Sequence, residues 1–218
     1  MEKNTLVAGY RVAVGVLTVV ALAGQLVTSY DLVPSFNPVN FFSYFTNLSN
    51  IIGAGVFLFC GGYWFATRHR QPHGADLVRG LAVVCLVITW AVYNLLLVDE
   101  PLGALQPWVN VVVHQIMPIA VFVDWLLDPP VRRLRFGQTA WWLAFPVLYI
   151  TYTMIRGPVA DWYPYPFLNP ANVGGYGGVA PYAVAIAVGF VLVVLAVTAL
   201  GNRFGRARTE LGAATMAG

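Results

Sequence analysis

Thr46 and His114 are the two residues of this chain whose chemistry and placement point to a reaction. A histidine exchanges a proton near neutral pH, so it can serve as base or acid. A threonine hydroxyl becomes a nucleophile once such a base lies within hydrogen-bond reach. His114 is the sole histidine inside an apolar run, since His69 and His73 fall in an Arg-containing connection. Counted from Phe41 and Trp108, where their apolar runs begin, Thr46 and His114 lie at depths of roughly 8 and 9 Å on ideal helices. They meet if those two helices pack together. A Thr/His pair points to acyl transfer or ester hydrolysis, with Asn47, Asn50 or Arg156 available to stabilise the oxyanion.

Other polar side chains share that depth. Ser43, Thr46, Asn47 and Asn50 in FFSYFTNLSN recur at i, i+3, i+4 and i+7, one face of a helix. Gln25 and Thr28 lie at the same end of the first run, Tyr93 and Asn94 at the same end of the third, Tyr152 and Arg156 of the fifth. Hydrocarbon solvates amides and hydroxyls poorly, so these groups should line an interior, outward-facing polar cavity. The same residues also admit a bland account. Threonine in a membrane helix commonly bonds its own i−4 carbonyl, and histidine can bridge two helices. A non-catalytic ligand-binding or structural membrane protein is therefore one alternative. A small-molecule or lipid transporter is another, although the inverted repeat expected of one is not visible.

The elements that would hold these residues are apolar runs. Hydrophobic residues make up 59% of the 218, and only 10% are charged, with a mean hydropathy of +0.70; soluble domains carry about 25% charged residues. A bilayer core needs about 20 helical residues. Six runs approach that length, at 6–28, 41–66, 77–98, 108–127, 139–155 and 181–200. They predict an all-α, polytopic membrane protein, one six-helix bundle spanning 1–218. If the runs alternate, every one of the 12 Lys and Arg residues except Arg156 falls on one side. That asymmetry puts both termini in the cytoplasm and explains the basic clusters without nucleic acid. Membrane lipids are the expected partners and a multi-pass membrane location is expected.

Finer expectations follow. The first run imitates a signal peptide ending at Ala21-Leu22-Ala23, yet it continues to spanning length, which favours its retention. Cys60 and Cys85 read as small buried apolar residues, and no Cys/His spacing calls for a metal or cofactor. Gly53, Ala54 and Gly55 allow close helix approach. Pro118 removes the N–H that would have bonded the His114 carbonyl, which hints at a polar interior there. Asp124 lies too deep to orient His114 and is expected to pair with Arg132, Arg133 or Arg135. The long connection 157–180, containing WYPYPF, reads as an ordered cap or as interfacial aromatics.

FSYFTNLSN, HQIMP followed by Asp124-Trp125, and YTMIRG with WYPYPF resemble a bacterial group of six-helix membrane proteins. That group is similar to the animal androgen-induced and androgen-dependent tissue-factor-pathway-inhibitor-regulating proteins. The resemblance spans essentially the whole chain. It implies an intramembrane threonine hydrolase of a bacterial inner membrane acting on a fatty acid ester, with Thr46 and His114 as the catalytic pair. It assigns no role to Asn47, Asn50 or Arg156, which with Tyr93, Asn94 and Tyr152 stand as the substrate-binding or oxyanion candidates read from the residues.

Overall fold

The computed structural model describes residues 2–101 and 104–217, with side chains described for 3–101 and 104–205. The described residues are helical, with no strand among them. α1 spans Glu2–Leu32, and the short α2 spans Pro38–Phe42. α3 covers Phe45–Thr67, and α4 covers His73–Val92 and runs on into a π-helical turn, Tyr93–Leu97. α5, Pro107–Val111, passes through a second π turn, Val112–Ile116, into α6, Met117–Leu127. A short α7, Phe136–Thr139, leads through a 3-10 turn into α8, Ala144–Ala160. A further 3-10 turn, Pro166–Leu168, precedes α9, Tyr176–Ala217.

Five helices are long and apolar enough to cross a membrane: Lys3–Leu32, Phe45–Thr67, His73–Leu97, Pro107–Leu127 and Tyr176–Gly205. The run expected at 139–155 is the exception in length. Its start is taken by the 3-10 turn Ala140–Leu143, and the α-helical part has 17 residues. Pro146 is tolerated there because the first turn of a helix needs no backbone donor.

α4 is the centre of the bundle, packed against α3, α6 and α9. Leu81, Val83, Val84, Cys85, Leu86 and Ile88 are buried along it, meeting Phe57, Met117, Val121, Trp125, Trp142 and Phe190 from its neighbours. Gly53 provides the close approach expected of it: a side chain there would press on Leu86 and Met117 at 2.7 Å. Gly55, by contrast, faces open space. Both cysteines are buried and unpaired. α9 turns Val184, Val188, Val191, Leu192 and Leu195 outward, the surface a lipid environment accepts.

Asp124 does not pair with Arg132, Arg133 or Arg135. Arg11 of α1 donates to it from Nε at 2.7 Å, and Arg79 of α4 from Nη2 at 2.6 Å. Asp76 and Asp128 join the same cluster, taking Arg79 Nη1 at 2.8 Å, Arg11 Nη2 at 2.8 Å, Arg70 Nη1 at 2.9 Å and Arg70 Nε at 3.2 Å. The reason is burial. A carboxylate sealed inside a bundle must be matched by a cation at its own depth, and Arg11 and Arg79 are sealed beside it. Burial alone would raise the Asp128 carboxyl, yet Arg79, Arg70 and Arg11 overcome that and hold it well below the usual carboxylate range.

Candidate functional site

The helix expected to begin at Phe41 is broken. Ser43 ends α2, Tyr44 is extended at φ −74° and ψ 128°, and α3 starts afresh at Phe45. Ser43 therefore leaves the stripe, and Thr46 becomes the second residue of a helix. Early backbone N–H groups of a helix have no intrahelical acceptor, and Tyr44 offers no side-chain cap. Two tyrosines from α8 and the cap loop accept instead: Phe45 N–H donates to Tyr149 Oη at 3.2 Å, and Thr46 N–H donates to Tyr165 Oη at 3.2 Å.

Thr46 Oγ1 lies 3.3 Å from His114 Nε2. His114 Nδ1 lies 2.7 Å from Asn110 Oδ1, one turn earlier, and Asn110 Nδ2 donates to Tyr93 Oη at 2.6 Å. The order of donors fixes the tautomer. With the Asn110 amide nitrogen spent on Tyr93, its carbonyl faces the ring, so Nδ1 carries the proton and Nε2 is free to accept from Thr46. The Tyr93 ring also stacks on the imidazole, 4.0 Å between centroids and 16° between planes. His114 is thus held by its face and by its far nitrogen. Thr46 and His114 are 8% and 7% exposed, so the expected polar cavity is a nearly sealed, hydrogen-bonded layer.

Both π turns serve this arrangement. Inside Val112–Ile116 the ladder slips to the wider register, with Met117 N–H bonding Val112 O. His114 sits within that turn, just ahead of Pro118, and π turns in α-helices are frequent at functional sites. Tyr93 opens the other π turn. Asn50 braces the pair, its Nδ2 donating to Thr46 O at 2.9 Å and to Val113 O at 3.0 Å. Both amide protons are committed, so Asn50 positions the backbone and has no proton left for an oxyanion.

The remaining expected residues lie apart from the pair. Asn47 Nδ2 donates to Phe41 O at 2.7 Å and ties α2 to α3. Tyr152 Oη lies 2.8 Å from Ser43 Oγ. Asn94 Nδ2 donates to Trp90 O, while its Oδ1 accepts from Gln115 Nε2 at 3.1 Å. Arg156 Nη2 donates to Asn40 Oδ1 at 2.6 Å and its guanidinium lies over the Trp162 ring. It ties α8 to α2 and the cap.

Two residues of the layer escaped the sequence reading. Asn110 was legible as an amide four residues before the histidine, on the same helical face. Tyr165 was not, since nothing local links it to Thr46, 119 positions away. Its Oη is 3.3 Å from Thr46 Oγ1 as well as accepting the Thr46 N–H. Burial raises the Tyr165 phenol, which keeps it a hydrogen-bond donor. Tyr165 stacks on Phe167 and meets Tyr44 edge-on, while Gly157 leaves the Tyr163 ring room where any side chain would collide. The connection after α8 is therefore an ordered cap over the start of α3. Among the described residues no group of His, Cys, Asp and Glu has the arrangement of a metal site. Compared with known proteins, the chain matches no protein-family model, no curated protein and no solved structure.

Proposed function

We propose that this chain is a six-span protein of a bacterial inner membrane, with both termini cytoplasmic, and that the layer around Thr46 hydrolyses a lipid ester such as a fatty acid ester. The observation that carries this reading is the chain Thr46 Oγ1, His114 Nε2 and Nδ1, Asn110 Oδ1, at 3.3 and 2.7 Å. It is a nucleophile, a base in the accepting tautomer and an orienting carbonyl, the logic of catalytic triads in general. The sequence resemblance points to the same two residues. Thr46 gives its proton to Nε2 as Oγ1 attacks the ester carbonyl. The alcohol then leaves with that proton, and water activated by Nε2 releases the acid and restores Thr46. The Thr46 N–H is already committed to Tyr165 Oη, so the Tyr165 O–H, beside Thr46 Oγ1, is the donor we assign to the carbonyl oxygen as it becomes negative.

The test is ester hydrolysis by the purified protein in detergent, together with labelling by a fluorophosphonate probe. Thr46→Ala and His114→Ala are each expected to lose about a thousandfold or more in turnover, with labelling lost in the threonine variant and retained in Thr46→Ser. Full turnover in both alanine variants overturns the proposal.

The near-complete burial of Thr46 and His114 favours one competing reading, a polar layer that only ties helices together. Under that reading His114→Ala lowers the melting temperature and no variant, nor the parent, turns over an ester.

A further inference from the structure

At the end of the bundle opposite Thr46, the segment between α6 and α7 carries Arg132, Arg133 and Arg135 around a buried Leu134. Asn202 of α9 grips that leucine at both backbone groups: Leu134 N–H donates to Asn202 Oδ1 at 2.7 Å, and Asn202 Nδ2 donates to Leu134 O at 3.0 Å. Arg135 is extended, at φ −96° and ψ 142°. In an extended chain alternate residues share a side, so anchoring Leu134 inward sends Arg133 and Arg135 outward together. They line one cavity of about 470 Å³ with Leu134, Phe136 and Asn202.

A topology signal needs basic residues near the membrane and nothing more. Here the backbone between two arginines is clamped to a membrane helix, and both arginines line one hollow. Neither takes part in the buried ion cluster of Asp76, Asp124 and Asp128, whose cations are Arg11, Arg70 and Arg79. Paired arginines match the oxygens of a phosphate group. The surroundings point to a phosphate carried by lipid: Val131, Phe136 and Trp141 are exposed apolar side chains flanking the basic pair, Phe136 at 60%. Such residues rest in the interfacial zone of a bilayer, where basic pockets between helices take anionic head groups.

We infer that Arg133 and Arg135, held by the Asn202 clamp, form a binding site for the phosphate of an anionic phospholipid on the face proposed to be cytoplasmic. The site rests on the membrane-spanning reading and is independent of ester hydrolysis.

The experiment uses the full chain in detergent and follows thermal unfolding with phosphatidylglycerol, with phosphatidylcholine, and with inorganic phosphate or glycerol phosphate. Phosphatidylglycerol at about a hundredfold excess over Kd is expected to raise Tm by at least about 5 °C over phosphatidylcholine. The soluble phosphates should give no such rise. Arg133→Gln with Arg135→Gln is expected to remove most of it, whereas Lys3→Gln with Arg68→Gln, an equal loss of charge elsewhere, should retain it. Native mass spectrometry of the parent and both variants counts retained lipid and does not depend on a Tm comparison. Equal stabilisation by both lipids overturns the inference. So does an equal loss in the two double variants, which marks diffuse charge, and so does a full effect from inorganic phosphate alone, which marks a soluble ligand.

Discussion

Two buried polar layers occupy opposite ends of the same helices, and they are built from different chemistry. At one end Arg11, Arg70 and Arg79 meet Asp76, Asp124 and Asp128, joined further by Gln71. At the other end Thr46, His114, Asn110, Tyr93, Tyr165 and Asn50 carry no full charge in the tautomers their hydrogen bonds require. A charge inside a bundle is tolerated only when paired, so the first layer has closed on itself with contacts of 2.6 to 2.9 Å at its tightest. Neutral groups can be left less completely matched. Asn50 Oδ1 and Ser49 Oγ are buried with no partner among the described residues. The Thr46 hydroxyl makes two contacts that are both 3.3 Å long. Full charges lock helices, whereas the neutral layer keeps a hydroxyl and a base adjacent without consuming either.

That contrast breaks most sharply at Arg79. Arg79→Ala leaves Asp124 and Asp76 facing each other with one cation fewer, and removing one partner of a buried pair costs about 3–5 kcal/mol. We expect a large fall in Tm or a failure to accumulate folded protein. Any molecules that do fold should label with the fluorophosphonate probe as the parent does. If Arg79→Ala instead kept its Tm and lost labelling, the charged layer would belong to the site and the division of labour would be wrong.

Tyr165→Phe tests the neutral end. It removes one hydroxyl from beside Thr46 Oγ1 and from the Thr46 N–H. Loss of one oxyanion donor costs about a hundredfold or more in kcat, so turnover should fall by about that factor with KM little changed. An unchanged kcat would make Tyr165 a helix cap and no more. A smaller effect is expected at Asn110. Asn110→Ala frees the imidazole to take the other tautomer, and kcat should drop by about tenfold to a hundredfold. Asn110→Asp should recover much of it, since a carboxylate still accepts from Nδ1. Equal damage from both substitutions would assign Asn110 to packing alone.

How much of this was legible beforehand follows the same line. Thr46 and His114 stand 3.3 Å apart, although the count that set them level ran from Phe41 along a helix that breaks at Ser43-Tyr44. What counting cannot see is which side chains complete a backbone. The break at Ser43-Tyr44 has no proline or glycine to announce it; it exists because Tyr149 and Tyr165 supply acceptors for the new helix start. Asp124 shows a related failure. Its sequence neighbours Arg132, Arg133 and Arg135 were natural partners by proximity, but burial selected Arg11, 113 residues away, and Arg79. Arg11 and Arg79 looked like topology markers because sequence gives the sign of a charge and not whether it points into the bundle.

The smallest expected effect is a difference in how the two layers respond to acid. The Asp128 carboxyl is held below its ordinary range by Arg79, Arg70 and Arg11, against the opposing pull of burial. An unfolded aspartate titrates near about 3.9. Below that pH the unfolded chain takes up a proton that folded Asp128 still refuses, so stability is present above it and is lost as pH falls toward the folded value. We therefore expect the contribution of Asp128 to Tm in detergent to be lost below about pH 4. In Asp128→Asn the decline should be shallower from a lower starting Tm, because the linked proton is gone along with its ion pairs. The neutral layer has no carboxylate, and the histidine it holds uncharged takes up its proton in the unfolded chain already near about pH 6.5, so Asn110→Ala should shift the Tm curve without changing its steepness below about pH 4. A matching change of slope in Asn110→Ala would mean that the two layers are coupled through the helices they share.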